Sequence, residues 1–183
     1  MTIRVAVALW ALAPAVALGQ IATFSGTWRL VEDRSRIDAE APLAGLIGTG
    51  APSTLHVTAP ANGTLVVESQ ANESHSRFYV PGARTTTPIF LGAAGTITMT
   101  SRWEEGALVS EGTRAHASDT GDASTKVKEV FTLGEGGRRL QIRVSVSSAH
   151  GESKSTLTYR RIRDVGPCES WPSPCKAFVP RKR

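Results

Sequence analysis

Glu129 lies in the segment "TKVKEVFTL", residues 125–133, where a two-residue period sets it on the same face as Val127, Phe131 and Leu133. A carboxylate on an apolar face is costly if buried and unpaired, and it either takes a proton or finds a cation. Three readings stay open. Glu129 forms a structural ion pair with an inward basic residue such as Arg161, it meets the polar group of a bound molecule, or it sits at a wet rim. The other reactive side chains are dispersed. His56, His75, His116 and His150 fall two on strands and two in loops, with no H-E-x-x-H and no i, i+2 pair, so no metal centre is expected. His56 and His75 read as solvent-facing strand residues. No G-x-S-x-G nucleophile elbow occurs. The loop "HASDTGD" offers Asp119 and Asp122, fewer oxygens than a hard cation needs. "GEGG", residues 134–137, lies between two strands and not ahead of a helix, which points to hairpin geometry and not to phosphate binding. No catalytic residue and no cofactor is expected, and the chain reads as non-enzymatic.

The elements that would position Glu129 are short alternating segments broken by Gly, Pro, Asn and Asp. "TLHVT", "GTLVVESQ" and "HSRFYV" follow one another across brief turns. "TITMTSRW" places Ile97, Met99 and Trp103 on one face with threonines and Arg102 on the other. "EEG" turns it into "ALVSEGTR". "GEGG" returns "TKVKEVFTL" into "RRLQIRVSV", where Leu140, Ile142, Val144 and Val146 alternate strictly with polar residues. "KSTLTYRRI" is the last strand. No segment beyond the N-terminal leader holds a 3.6-residue apolar period. The chain is therefore all-β, with eight or nine strands at near-regular spacing. A meander closed into a single antiparallel up-and-down barrel removes both exposed edges. The alternative is a two-sheet β-sandwich.

The 183 residues and net charge of +5 bound the rest. That length suits one domain with a sizeable core. Residues 1–19 read as a signal peptide: Arg4, an uncharged run from Val5 to Leu18, then Ala17 and Gly19 before the expected cut. The run is shorter than the about 20 residues of a spanning helix. The barrel domain is assigned to residues 20–164, and a Pro-rich tail to 165–183. The expected location is secreted or periplasmic. In that oxidising setting Cys168 and Cys175 most simply form one local disulfide. The basic charge is scattered, without the clustered face of a nucleic-acid binder. Arg102, Lys128 and Arg143 at outward positions argue against a membrane-spanning barrel.

"GTW", residues 26–28, in the first strand of such a meander resembles the glycine-x-tryptophan signature of lipocalins and related calycin barrels. More closely, the chain looks like small secreted bacterial proteins of uncharacterised function that begin F-x-G-T-W-x-L and end on Y-x-R. The resemblance implies a lipocalin-like barrel in which Trp28 plugs the closed end beneath an Arg of the last strand. Arg161 shares a face with Leu157 and Tyr159 and is the candidate. It also implies that the first loop folds over the open mouth, which makes Leu43, Leu46 and Ile47 of "APLAGLIGTGAP" a candidate lid or core cap. The expected function is binding of a small, mostly apolar molecule in the interior. Ile97, Met99, Trp103, Glu129, Phe131, Leu140, Ile142 and Tyr159 are the candidate lining or core. The alternative is a solid-core envelope protein acting through its outer face or tail.

Overall fold

The computed structural model describes residues 24–39, 41, 43, 51–60, 62–70, 74–91, 93–118, 121–149 and 151–163. The leader, the tail with Cys168 and Cys175, and Leu46 and Ile47 lie outside the described residues. The strands are β1 (Gly26–Leu30), β2 (Thr54–Thr58), β3 (Leu65–Gln70), β4 (Ser74–Tyr79), β5 (Arg84–Leu91), β6 (Ala93–Glu104), β7 (Ala107–Ser118), β8 (Gly121–Gly134), β9 (Arg139–Ser148) and β10 (Gly151–Arg163). They form one sheet in the order β4-β3-β2-β1-β10-β9-β8-β7-β6-β5, with antiparallel ladders throughout. The sandwich alternative falls, because the strands form a single sheet in which every ladder but β1–β10 joins sequence neighbours.

Among the described residues the strand count is ten, not eight or nine. The additional strand is β5, "RTTTPIFL", whose threonine run and Pro88 hide any alternation. It pairs only with β6, and an edge strand tolerates the missing proline N–H.

The sheet curls until its two ends approach. Tyr79 on β4 reaches across the interior to Phe131 on β8, with ring centroids 4.9 Å apart at 67°. β4 and β5 share no ladder. Instead the chain leaving β4 hooks onto β6, where Pro81 makes a parallel bridge to Ser101 and the Gly82 N–H donates to the Ser101 carbonyl at 2.9 Å. The result is a nearly closed barrel with one seam. Two local devices shape the long strands. Glu105 and Gly106 both adopt positive φ, 46° and 81°, as a tight two-residue hairpin turn requires. At Gly112 a Cβ would fall 1.8 Å from the Thr98 carbonyl oxygen and 2.8 Å from the Met99 Cα, so β7 approaches β6 too closely for any side chain.

One barrel end is closed by aromatic rings. Trp28 is fully buried, in register with Leu55 and Arg161. Its indole N–H donates to the Phe24 carbonyl at 3.1 Å, and the Arg161 guanidinium lies 4.6 Å over its ring. That stacking contributes about 0.5–2 kcal/mol. Arg161 also donates to the Ser25 carbonyl at 3.0 Å, and Phe24 packs on Trp103 at 5.4 Å. At the other end residues 31–38 run along β10, held by Val31 N–H to Thr158 O and by the Arg36–Thr156 pairing. The loop then drops Ala41 and Leu43 into the core, both fully buried. Tyr159 donates its hydroxyl to the Pro52 carbonyl at 3.0 Å, tying the loop's return to β10.

Candidate functional site

Cross-strand register stacks the inward side chains of β6 to β10 into rows. Trp103, Leu108, Phe131, Ile142 and Leu157 form a bulky row near the closed end. The next row is Ser101, Ser110, Glu129, Val144 and Ser155, all at most 2% exposed. Beyond it come Met99, Gly112, Val127 and Val146. Along β7 to β9 the inward side chains therefore shrink, from rings to serine, valine and glycine, whereas β6 keeps the buried Met99 and Ile97. The serine row is a polar belt between apolar layers, with Ser101 donating to Ser110 at 3.0 Å.

Glu129 belongs to this belt and is fully buried. Its partner from the opposite wall is Tyr79, whose hydroxyl donates to Oε2 at 2.9 Å. Arg77, one period earlier on β4, is also fully buried and lies 5.6 Å over the Tyr79 ring. None of its three guanidinium nitrogens has a hydrogen-bond partner. Burial pushes the Tyr79 hydroxyl pKa well up, the Glu129 carboxylate adds to that rise, and the Arg77 guanidinium opposes it. Tyr79 is thus a fixed donor at any ordinary pH. Tyr159 is raised as well, by burial.

The rim reading of Glu129 fails, because the residue has no exposure. Ile97, Met99, Phe131, Leu140, Ile142 and Tyr159 are buried within one apolar cluster, and Trp103 is partly buried against it. Leu43 belongs to the same cluster. Arg77 and Tyr79 were missed by the sequence reading. In "HSRFYV" the alternation favours Phe78 and Val80 as the inward pair, yet the barrel turns Phe78 outward at 44% exposure and Arg77 inward. The available signal was the match of Arg77 with Val67 and of Tyr79 with Leu65 across the β3–β4 hairpin.

His56 corrects a second expectation, since it is fully buried and not solvent-facing. It lies on the outer side of β2, in a register row with Thr27, Glu68 and Ser76. Thr27 Oγ1 and His56 Nδ1 share a hydrogen bond of 3.2 Å, and Ser76 donates to Glu68 Oε1 at 3.2 Å. Burial pushes His56 down and Glu68 up, the latter opposed by the Ser76 hydrogen bond.

A groove of about 470 Å³ crosses the outer faces of β7 to β10, lined by residues that include Glu111, Lys126, Lys128 and Glu152. Lys128 and Arg102 clamp Glu111 at 2.6 and 2.9 Å and hold its carboxyl below the usual range. Among the described residues no group of three His, Cys, Asp or Glu side chains converges to hold a metal, and no helix is long and apolar enough to cross a membrane.

Strand order and cross-barrel contacts thus define an up-and-down β-barrel with a polar cluster inside an apolar wall. No protein-family model matches the chain, and no curated protein sequence does. Among solved structures it is similar to fatty-acid-binding protein 1 of Echinococcus granulosus, at 12% identity and a TM-score of 0.49, covering 76% of this chain and 98% of that one. It is likewise similar to a zebrafish ileal bile acid-binding protein complexed with cholic acid, at 13% identity and a TM-score of 0.48, covering 76% and 99%. Neither likeness assigns a function to this chain.

Proposed function

We propose that this protein is an exported, non-enzymatic barrel that binds a small, mostly apolar molecule in its interior. The observation that carries the reading is the decrease in inward side-chain size along β7 to β9. The closed half is filled by Trp28, Phe24, Trp103, Phe131, Tyr79 and Tyr159. At the Glu129 level and the next one the inward residues of β7 to β9 are Ser110, Gly112, Val127, Val144 and Val146, all small or β-branched. A narrow barrel fills itself with side chains, whereas small residues at a wide level make room for a guest. Export is supported by the leader pattern of residues 1–19.

Displacement of a fluorescent fatty-acid analogue, together with native mass spectrometry of the purified protein, tests the reading. Uptake of the dye, or a co-purifying small molecule, is expected. The absence of both would overturn it and favour the solid-core alternative.

A further inference from the structure

We infer that the outer face of β8 to β10 is a second binding site, independent of what the interior takes, and that its ligand is an acidic polysaccharide. Arginines scattered along the sequence are gathered there by register. Leu140, Ile142, Val144 and Val146 of β9 face the interior, so Arg139, Arg143, Ser145 and Ser147 face outward. Arg139 stands opposite Arg160 of β10, and Arg160 stands opposite Arg29 of β1. Four residues along β9, Arg143 stands opposite Thr156, which bridges to Arg36. Arg29, Arg36, Arg143 and Arg160 are exposed, and none has a side-chain ion pair or hydrogen bond among the described residues. Like charges set directly opposite one another destabilise a sheet. A bound polyanion offsets that cost.

The arginine stripe runs along β9 into the groove over β7 to β10. Short hydroxyl side chains, Ser145 and Ser147, form its floor on β9, between Lys126 and Lys128 of β8 and Glu152 of β10. From Ser147 to Arg139 is eight residues, about 27 Å of strand, which suits an extended chain.

The groove also selects the kind of chain. Lys126, which has no ion pair among the described residues, and the arginines call for anions. Glu111 and Glu152 stand in the same groove, already paired with Lys128 and Lys154 at 2.6 and 3.0 Å, and they accept hydrogen bonds from hydroxyl groups. A polymer with spaced carboxylates and hydroxyls between them meets both demands. A nucleic acid, charged at every unit, would set phosphates against Glu111 and Glu152. Binding single strands also relies on aromatic stacking, and the one aromatic among the exposed large apolar residues described is Phe78 on β4, five strands from β9 in the sheet. A flat lipid surface would leave the groove unfilled.

The test uses the purified protein and four probes, polygalacturonate, neutral dextran, a single-stranded oligonucleotide and vesicles containing phosphatidylglycerol, each titrated at low and at raised salt. Polygalacturonate should bind most tightly and weaken with salt, whereas dextran should not bind. Arg143→Gln combined with Arg160→Gln should weaken polygalacturonate at least about tenfold, as the loss of charge-assisted hydrogen bonds requires. Both side chains are exposed and the change relieves a like-charge contact, so the thermal midpoint should not fall. Ser147→Phe alters no charge but fills the groove, and should weaken polygalacturonate by about tenfold as well. Replacing Arg181, Lys182 and Arg183 by serine should leave its affinity within about threefold. Four results would each overturn the assignment and leave interior binding standing: no binding of polygalacturonate at low salt, tighter binding of the oligonucleotide or the vesicles, binding that survives the arginine pair or Ser147→Phe, or binding lost with the terminal basic residues.

Discussion

Gly112→Ala places a methyl group where the structure has a carbonyl oxygen. The added Cβ would stand 1.8 Å from Thr98 O, 2.8 Å from Thr98 C and 2.8 Å from Met99 Cα, against 3.4–4 Å for ordinary contact. All three atoms are backbone, so no rotamer change relieves them. β6 must move by roughly 1.5 Å at a point where it is paired on both sides, to β5 and to β7. Overpacking typically costs about 1–3 kcal/mol even when side chains can yield. A loss of at least about 3 kcal/mol is therefore expected, a large part of the about 5–15 kcal/mol that holds a typical domain together. Urea unfolding followed by tryptophan fluorescence measures it. Gly134→Ala is the control, because there the added Cβ meets only the flexible Arg139 guanidinium, at 3.1 Å, and the expected loss is under about 1 kcal/mol. If Gly112→Ala unfolds within about 1 kcal/mol of the natural sequence at an unchanged denaturant slope, the close approach of β6 and β7 is wrong.

Trp28→Ala should cost about 3–5 kcal/mol as a buried aromatic, and a double-mutant cycle with Arg161→Ala should return a coupling of about 0.5–2 kcal/mol. Leu43→Ala should cost about 2–5 kcal/mol in a chemical melt, since the residue is fully buried in the core; a loss under about 1 kcal/mol would mean that the loop only rests on the barrel. His56 has its pKa lowered by burial, so the unfolded chain protonates first as pH falls below about 6.5. Its contribution is complete above that pH and is lost toward the folded value. Glu68 is raised, so its contribution is complete below about 4.3 and is lost as pH rises through its folded value. The two run in opposite senses as pH falls, so substitution separates them: between pH 7 and 5.5 His56→Gln should remove the acid-side loss, and Glu68→Gln should remove the opposing gain.

Architecture was legible in the sequence where one face of a strand is wet and the other dry. In β9 burial alternates residue by residue, and the apolar period of "RRLQIRVSV" states it directly. Legibility failed where a second influence overrode the period. β5 lies at the edge with Pro88 in it, so it lacks the two-sided pairing that selects an alternating sequence. β4 inverts its apparent amphipathicity because Tyr79 meets a polar partner on β8, a contact made between residues 50 positions apart. Glu129 was visible as an anomaly, but its neighbour could be found only once the barrel had curled. The burial of His56 depends on neighbours across β1 and β3, which a single strand's pattern does not report.

The pairing of β1 with β10 has a consequence for how the chain assembles. Among the described residues, strands β1 to β4 form one run of neighbours and β5 to β10 another, and the β1–β10 ladder is the hydrogen-bonded strand junction between them. β10 is the last of the described strands, so the first four wait through synthesis of the remaining six before their inner edge is capped. Such distant pairing makes for slow folding and a long interval with an open edge. A chain truncated before Gly151 would be expected to leave two separate half-sheets, each with an exposed apolar face, and to aggregate rather than to form a smaller barrel.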